Sequence, residues 1–127
     1  MTRQHYSVLI IDDAYTVREY LRQTLMHLGI SRIHEASSGN RGLSVFSEQQ
    51  PDLVFLDIEL PDINGQQLLA QIKQQADKTH VVMVTAHNSV DNVRTSIESG
   101  ASGFIAKPFS PLKIKNIVER CLSAKLN

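Results

Sequence analysis

The chain has 127 residues, the size of one ordinary domain, and we predict a single domain over residues 1–127 that folds without disulfides. Thirteen Lys and Arg residues balance thirteen Asp and Glu residues, so the net charge gives no support for direct binding to nucleic acid or to a membrane surface. The single cysteine, Cys121, excludes an internal disulfide, and no apolar run approaches membrane-spanning length. We therefore expect a cytoplasmic protein that binds neither nucleic acid nor membrane.

Short apolar runs alternate with segments in which apolar residues recur at helical spacing. Four runs are residues 8–11, 53–56, 81–84 and 104–106, and residues 33–36 give a weaker signal for a further strand, the second along the chain. Runs that are apolar throughout are typical of strands buried on both faces, and regular alternation of strand and helix indicates a parallel sheet with right-handed crossovers. We predict a doubly wound α/β fold, with helices on both faces of a five-stranded sheet in the order 2-1-3-4-5, which is common among such folds.

The predicted helices have recognisable ends. Gly29 and Gly100 follow the first and fourth helices, where glycine readily adopts the left-handed conformation that ends a helix. Asn64 can cap the third helix, while Ser110 and Pro111 suit the cap and the first turn of the fifth. These signals predict where the loops between strands and helices begin and end.

The apolar positions of the last two helices predict which faces are buried. In the fourth helix, Val90, Val93 and Ile97 are expected to face the core. In the fifth helix a longer apolar set shares one face: Ile114, Ile117, Val118, Cys121 and Leu122. Both helices are therefore predicted to pack through these side chains.

Acidic side chains follow two strands that are neighbours in the expected order. Asp12 and Asp13 come directly after strand one, and Asp57 ends strand three, which is bounded by Pro51 and Pro61. Because the carboxyl ends of parallel strands meet at one edge of the sheet, the three carboxylates should converge, and their mutual repulsion calls for a cation. Oxygen ligands favour a hard ion, so we predict Mg²⁺, with Mn²⁺ as an alternative.

Thr85 and Lys107 end the fourth and fifth strands and should lie at the same edge of the sheet. A hydroxyl group and an ammonium both suit phosphoryl oxygens, and phosphoryl transfer depends mostly on positioning and charge neutralisation. Asp57 would then act as a nucleophile that forms an aspartyl phosphate. Each of these residues alone is also compatible with a structural role, such as a helix cap, but their placement at the ends of four strands indicates a phosphoryl-transfer site.

Over nearly its whole length, the chain resembles the receiver domain of bacterial two-component response regulators, the CheY-like family with the flavodoxin-like strand order. The resemblance is carried by these segments: Asp12-Asp13, Leu56 to Gly65, Thr85-Ala86, Gly100 to Phe104, and Lys107-Pro108-Phe109. It implies that Asp57 accepts a phosphoryl group from a sensor histidine kinase or a phosphotransfer protein. It also implies a phosphoprotein that loses its phosphoryl group by autodephosphorylation, and not an enzyme with steady turnover.

The resemblance further assigns roles around Asp57. Mg²⁺ would be held by Asp13, Asp57 and the backbone carbonyl of Glu59, while Asp12 would bind it through water. Glu59 and His87 each lie two residues beyond a motif residue, where side chains of this family flank the path of the hydrolytic water. We therefore expect Glu59 and His87 to tune the lifetime of the aspartyl phosphate.

The resemblance also implies a conformational switch. Thr85 and Lys107 would bind phosphoryl oxygens, and the Lys107–Pro108 bond would be cis, a state that only X-Pro bonds reach at low cost. On phosphorylation, Thr85 would move toward the phosphoryl group and the ring of Phe104 would turn into the space left behind. The face formed by helix four, strand five and helix five would then change its binding to an unidentified protein target.

Three other interpretations stay open at the level of sequence. Asp57 and Glu59 mimic the spacing of a phosphatase of the haloacid-dehalogenase type, although the nucleophile of that family follows the first strand. A flavin-binding module of the same fold fits poorly, because Asp12 and Asp13 would repel the flavin phosphate. The third is the amino-terminal receiver of a longer effector protein, as opposed to the stand-alone regulator that we favour.

Overall fold

A computed structural model of the protein describes residues 6–86 and 90–123, with side-chain surroundings for residues 6–86 and 93–123. The strands are β1 (Ser7–Ile11), β2 (Arg32–Ala36), β3 (Leu53–Asp57), β4 (His80–Thr85) and β5 (Gly103–Ala106). The helices are α1 (Tyr15–His27), α2 (Gly39–Gln49), α3 (Gly65–Gln75), α4 (Val90–Glu98) and α5 (Pro111–Leu122). Within this described part of the chain, no helix combines the length and the apolar character needed to span a membrane.

The five strands form one parallel sheet in the order β2-β1-β3-β4-β5, which confirms the predicted fold class. β1 and β3 pair with each other, and every residue of both strands is buried. Side chains alternate between the two faces of the sheet, as the pleat requires. Val8 and Ile10 pack in the cluster that contains α1 and α5, whereas Leu9 and Ile11 pack in the cluster that contains α2 and α3. Helices therefore cover both faces, and the strand ends carry the polar groups.

The predicted helix ends are confirmed. Asn64 precedes α3, and its side chain accepts a 2.7 Å hydrogen bond from a backbone N–H of the first turn. Ser110 caps α5 in the same way at 3.2 Å, with Pro111 as the first helical residue. Gly29 and Gly100 have φ angles of 95° and 101°, the left-handed conformation expected where a helix ends. Local sequence signals thus set the boundaries of the loops.

The predicted core face is confirmed for α5, where all the expected residues are buried, but in α4 the prediction is wrong for Ile97. Ile97 is 60% exposed and Val93 is half-buried, whereas Ser96 is fully buried. The Ser96 hydroxyl accepts a 2.9 Å hydrogen bond from Gln66 Nε2 on α3, so its burial costs little. The buried position of α4 that faces α3 is therefore taken by a polar side chain that has a hydrogen-bond partner. The prediction for Val90 lies outside the described side chains.

Gly65, the first residue of α3, lies against the loop that leaves β3. A Cβ atom at this position would lie 2.5 Å from the backbone oxygen of Asp57 and 2.5 Å from the Cα of Ile58. Backbone atoms cannot swing aside as the end of a flexible side chain can. We therefore expect Gly65→Ala to lower the free energy of unfolding by about 1–3 kcal/mol, the usual cost of overpacking. Urea denaturation followed by circular dichroism measures this change.

The matched control is Gln74→Ala, a substitution at an exposed position of the same helix. It should change the free energy of unfolding by less than about 0.5 kcal/mol. If both variants unfold at the same urea concentration as the parent, the close approach of Gly65 to the loop after β3 does not limit the size of the residue at this position.

Candidate functional site

The carboxyl ends of β1 and β3 bring three carboxylates together. Asp57 is the last residue of β3, and Asp12 and Asp13 directly follow the last residue of β1. Ile11 pairs in register with Leu56, so the two chain segments leave the sheet side by side. One carboxylate oxygen from each aspartate lies within 4.8 Å of the others. The structure therefore brings together the three acidic residues that were predicted to converge.

The ammonium of Lys107 contacts this acidic cluster. Its Nζ lies 3.0 Å from Asp12 Oδ2 and 3.7 Å from Asp57 Oδ2. The backbone N–H of Lys107 donates a 2.8 Å hydrogen bond to the carbonyl oxygen of Thr85, which holds the loop after β5 against β4. The Lys107–Pro108 peptide bond is cis, as predicted. Both the backbone and the side chain of Lys107 are therefore held in place. Its ammonium neutralises part of the negative charge of the cluster.

Thr85 and Phe104 lie at different distances from the carboxyl ends of the strands. Thr85 ends β4, is fully buried, and lies one residue beyond Val84, which pairs with Asp57. Phe104 lies opposite Met83 on the outer strand β5, and its half-buried ring packs against the core cluster of α2 and α3. Thr85 is therefore level with the acidic cluster, whereas Phe104 lies further down the sheet at its edge.

The loop after β3 contacts Asp57 through its backbone. The N–H of Glu59 donates a 3.1 Å hydrogen bond to Asp57 Oδ1, and Glu59 forms an antiparallel bridge with Asn64 across the loop. The residue itself is exposed to solvent. His87, the other residue predicted to tune the site, lies outside the described residues. The contact between Glu59 and Asp57 is thus a backbone contact that any residue except proline could make.

Burial dominates the electrostatics of Asp57, which is only 4% exposed. Burial, followed by the nearby charges of Asp12 and Asp13, raises the pKa of the Asp57 carboxyl to about 6. The Glu59 N–H and the Lys107 charge act in the opposite direction and only reduce the shift. For Lys107, burial alone would lower the pKa, but the hydrogen bond and charge of Asp12 and the charge of Asp57 together raise it. Lys107 therefore stays protonated beside a carboxyl that holds its proton unusually tightly.

The acidic cluster fits a hard divalent cation. Its donors are carboxylate oxygens, the ligands that Mg²⁺ and Mn²⁺ prefer, and three of them lie close enough to share one ion. A divalent ion held here would offset the mutual repulsion of the three carboxylates. Asp12, Asp13 and Asp57 are the side chains that would hold it, with the Glu59 carbonyl in the adjoining loop.

Two features around the site were not predicted. Arg18 of α1 donates a 2.8 Å hydrogen bond from Nη1 to the carbonyl oxygen of Asp12. A largely apolar groove also adjoins Lys107, with these lining residues: Thr16, Val17, Tyr20, Ala86, Lys107, Pro108 and Phe109. The contact of Arg18 could not be predicted, because in the sequence Arg18 is only a polar residue of a helix. The groove could not be predicted either, because its walls come from segments that are far apart along the chain. The Lys-Pro-Phe motif was the one local signal that pointed to this region.

Comparison with known proteins agrees with this geometry. The model of the response regulator receiver domain family matches residues 8–119. The chain is 34% identical over 121 residues to the probable C4-dicarboxylate response regulator DctR of Priestia megaterium, a match that covers 94% of this chain and 53% of the relative. The chain therefore spans about half the length of that protein.

Two further relatives are similar in length to this chain. Sporulation initiation phosphotransferase F of Bacillus subtilis (strain 168) is 32% identical over 120 residues, which cover 94% of this chain and 96% of the relative. The crystal structure of a CheY-like response regulator receiver domain protein from Methanospirillum hungatei JF-1 superposes with a TM-score of 0.86 at 28% identity, over 93% of this chain and 94% of that one. Because the family match runs from β1 into α5 and the fold agrees, the chain belongs to the response regulator receiver domain family.

Proposed function

We propose that this protein is a phosphoacceptor of two-component signalling, in which Asp57 receives a phosphoryl group from a sensor histidine kinase or a phosphotransfer protein. The observation that carries the proposal is one site in which Asp12, Asp13 and Asp57 meet the ammonium of Lys107 at the ends of parallel strands. Such a site offers a nucleophile, ligands for a divalent cation and a fixed positive charge for phosphoryl oxygens. Membership of the receiver domain family supports the same use.

The proposed reaction moves a phosphoryl group from a donor histidine to Asp57. An oxygen of the carboxylate bonds to phosphorus while the P–N bond to the donor breaks, and the electron pair of that bond stays on the imidazole nitrogen. Bound Mg²⁺, or Mn²⁺ in its place, would supply the positive charge that lets an anionic donor approach the carboxylates. The Glu59 N–H orients Asp57 Oδ1, while Lys107, close to Oδ2, would stabilise the negative charge on the phosphoryl oxygens.

A protein donor is supported by the apolar groove beside the site. Its walls include Val17 and Tyr20 of α1 together with Pro108 and Phe109 of the loop after β5, and the rings of Tyr20 and Phe109 are 5.7 Å apart. Apolar surface of this kind is stabilised when a partner removes it from water, whereas a small-molecule donor has no need of it. A partner seated in the groove would hold its phosphohistidine next to Lys107.

The proposed output runs from Thr85 to Phe104. Thr85 would move toward the phosphoryl oxygens and the ring of Phe104 would turn toward the space left behind, which shifts an equilibrium between two existing conformations. Phe104 lines a groove together with Val93 of α4 and Lys113 of α5. Rotation of the ring would therefore reshape the surface of α4, β5 and α5, where an unidentified protein target would bind.

The aspartyl phosphate is itself the signal in this proposal, so the protein would pass through a limited cycle of phosphorylation and autodephosphorylation, without steady turnover of a substrate. Glu59 and His87 would tune the rate at which water removes the phosphoryl group. The single cysteine, Cys121, suits a reducing compartment, and we expect the protein in the cytoplasm.

Incubation with acetyl phosphate and Mg²⁺ should add one phosphoryl group to the protein, at Asp57. Asp57→Asn should acquire none there, because a side-chain amide is a poor nucleophile compared with a carboxylate. Lys107→Ala should be phosphorylated about 100-fold more slowly, the usual effect of removing one group that stabilises developing charge. Mass spectrometry of the intact protein and its peptides, with samples quenched over time, measures the stoichiometry, the site and the rate.

The control for this experiment is Asp77→Asn, which removes an exposed carboxylate from the loop that precedes β4, at the opposite edge of the sheet. It should be phosphorylated like the parent. A phosphoryl group at position 57 of Asp57→Asn would contradict the proposal. Steady hydrolysis of a phosphomonoester by the parent, without a detectable adduct, would favour the phosphatase alternative.

The raised pKa of Asp57 predicts a pH-dependent loss of stability in the metal-free protein. Between its ordinary value of 3.8 and about 6, the folded protein holds a proton at Asp57 that the unfolded chain has released. The free energy of unfolding should therefore fall as the pH rises through this window and level off above it. At about pH 7.5, Asp57→Asn should be more stable than the parent by up to about 3 kcal/mol. Urea denaturation in EDTA over this pH range measures the difference.

The stability advantage of Asp57→Asn should shrink as the pH approaches about 4, because the folded parent is then protonated at Asp57 and the unfolded chain begins to take up the same proton. Mg²⁺ should also reduce it at neutral pH, because the ion binds the folded parent. Asp77→Asn, which removes an exposed carboxylate, controls for the loss of one negative charge. The prediction is wrong if the parent in EDTA at about pH 7.5 is at least as stable as Asp57→Asn, because ionisation of Asp57 would then not destabilise the folded protein.

A further inference from the structure

Arg18, in the first turns of α1, joins the acidic loop to the neighbouring strand. Its Nη1 donates a 2.8 Å hydrogen bond to the carbonyl oxygen of Asp12, and its Nε donates a 3.0 Å hydrogen bond to Oε1 of Glu35 on β2. The side chain of Arg18 is only 15% exposed. A planar guanidinium holds two acceptors at a fixed angle, so this contact fixes the Asp12 carbonyl relative to the sheet.

The other polar groups of Asp12 also have partners. Its backbone N–H donates a 3.1 Å hydrogen bond to the carbonyl oxygen of Ala36, and its Oδ1 accepts a 2.8 Å hydrogen bond from the N–H of Ala14. Its Oδ2 faces the ammonium of Lys107 at 3.0 Å. Arg18 completes this set by binding the carbonyl oxygen. Asp12 is therefore held at every polar group.

The direction of the Asp12 carbonyl has a consequence for Asp13. The carbonyl oxygen lies in the plane of the peptide group that joins Asp12 to Asp13, and this plane is rigid. A guanidinium that holds the oxygen therefore restricts the rotation of the whole peptide group, and with it the positions of the N and Cα atoms of Asp13 from which its side chain extends. Asp13 is exposed, unlike Asp12 and Asp57, so burial contributes less to its orientation.

We propose that Arg18 is a positioning residue of the metal site, which orients the peptide between Asp12 and Asp13 so that the Asp13 carboxylate faces the ion. The inference rests on the proposed function, since it takes the acidic cluster as the seat of Mg²⁺. Partners of this kind, one step removed from the ligands, typically change metal affinity by 10- to 100-fold when they are removed.

Charge and geometry make opposite predictions for this residue. Arg18 carries a positive charge close to the carboxylates, so its removal would strengthen cation binding if its charge were the effect that matters. Pairing with Glu35 at 3.0 Å already offsets most of that charge. If Arg18 acts by orienting the peptide, its removal weakens cation binding. The sign of the change in affinity therefore separates the two effects.

The test is calorimetric titration of the parent and of Arg18→Met with Mg²⁺ alone, at constant ionic strength. Methionine keeps much of the apolar stem while removing both the donors and the charge. We expect Arg18→Met to bind Mg²⁺ about tenfold more weakly than the parent. The backbone amide resonance of Asp13 should also shift in the metal-free variant, a change that a loss of overall stability would not produce.

Arg22→Met is the matched control. Arg22 lies on the same helix and binds Glu19 at 2.6 Å and Glu35 at 3.6 Å, so its removal also deletes a guanidinium paired with Glu35. It should leave the affinity for Mg²⁺ within about twofold of the parent, because the expected effect belongs to the Asp12 contact. Equal weakening by Arg18→Met and Arg22→Met would overturn the inference.

The remaining outcomes also decide the question. If the parent binds Mg²⁺ and Arg18→Met binds it equally or more tightly, the inference fails while the proposed function stands. If the parent itself does not bind Mg²⁺, the metal site of the proposed function fails, and the inference with it. If Arg18→Met and Arg18→Ala do not fold although Arg22→Met does, Arg18 serves the fold and not the metal site, which also overturns the inference.

Discussion

The mutual repulsion of Asp12, Asp13 and Asp57 is the constraint on which the site depends. Two of these carboxylates are almost fully buried, and the pKa of Asp57 is raised to about 6 because burial and like charges disfavour its ionised form. Lys107 offsets part of this repulsion by direct contact with Asp12 and Asp57. A site of this kind costs stability without a cation, and its unbalanced negative charge attracts a divalent ion. The ion would in turn allow an anionic phosphoryl group to approach the carboxylates.

The apolar core of the parallel sheet compensates for the repulsion among these carboxylates. β1 and β3 are buried along their whole length, and their side chains alternate between two apolar clusters that lie on opposite faces. The burial of this core stabilises the fold by far more than the acidic cluster costs. The loops are then held by specific contacts, among them Arg18 on the Asp12 carbonyl and Gly65 against the backbone after β3. The buried strands and the contacts that hold the loops together keep the three carboxylates close to one another.

The described part of α4 differs from α5 in a way that suits a movable element. All the predicted core residues of α5 are buried, whereas α4 exposes Ile97 and buries Ser96 against a glutamine of α3. A helix with little apolar burial is displaced at lower cost than one fixed in the core. In the proposed switch, Phe104 lies between these two helices, in the groove that it shares with Val93. The surface that this switch would reshape thus includes a helix held partly by a polar contact.

The sequence by itself determined the strands, the helix ends and the placement of Asp12, Asp13 and Asp57 at one edge, because apolar runs, caps and strand ends are local features of the chain. Tertiary structure decided the burial of Ser96 in place of Ile97, since the side of α4 that is buried depends on its packing against other elements, where Ser96 meets Gln66 of α3. The sequence placed Lys107 at the same edge, but only the folded sheet defined its contact with Asp12. The contact of Arg18 with the Asp12 carbonyl was not predicted at all, because it joins a helix to a loop whose relative positions only the folded sheet defines.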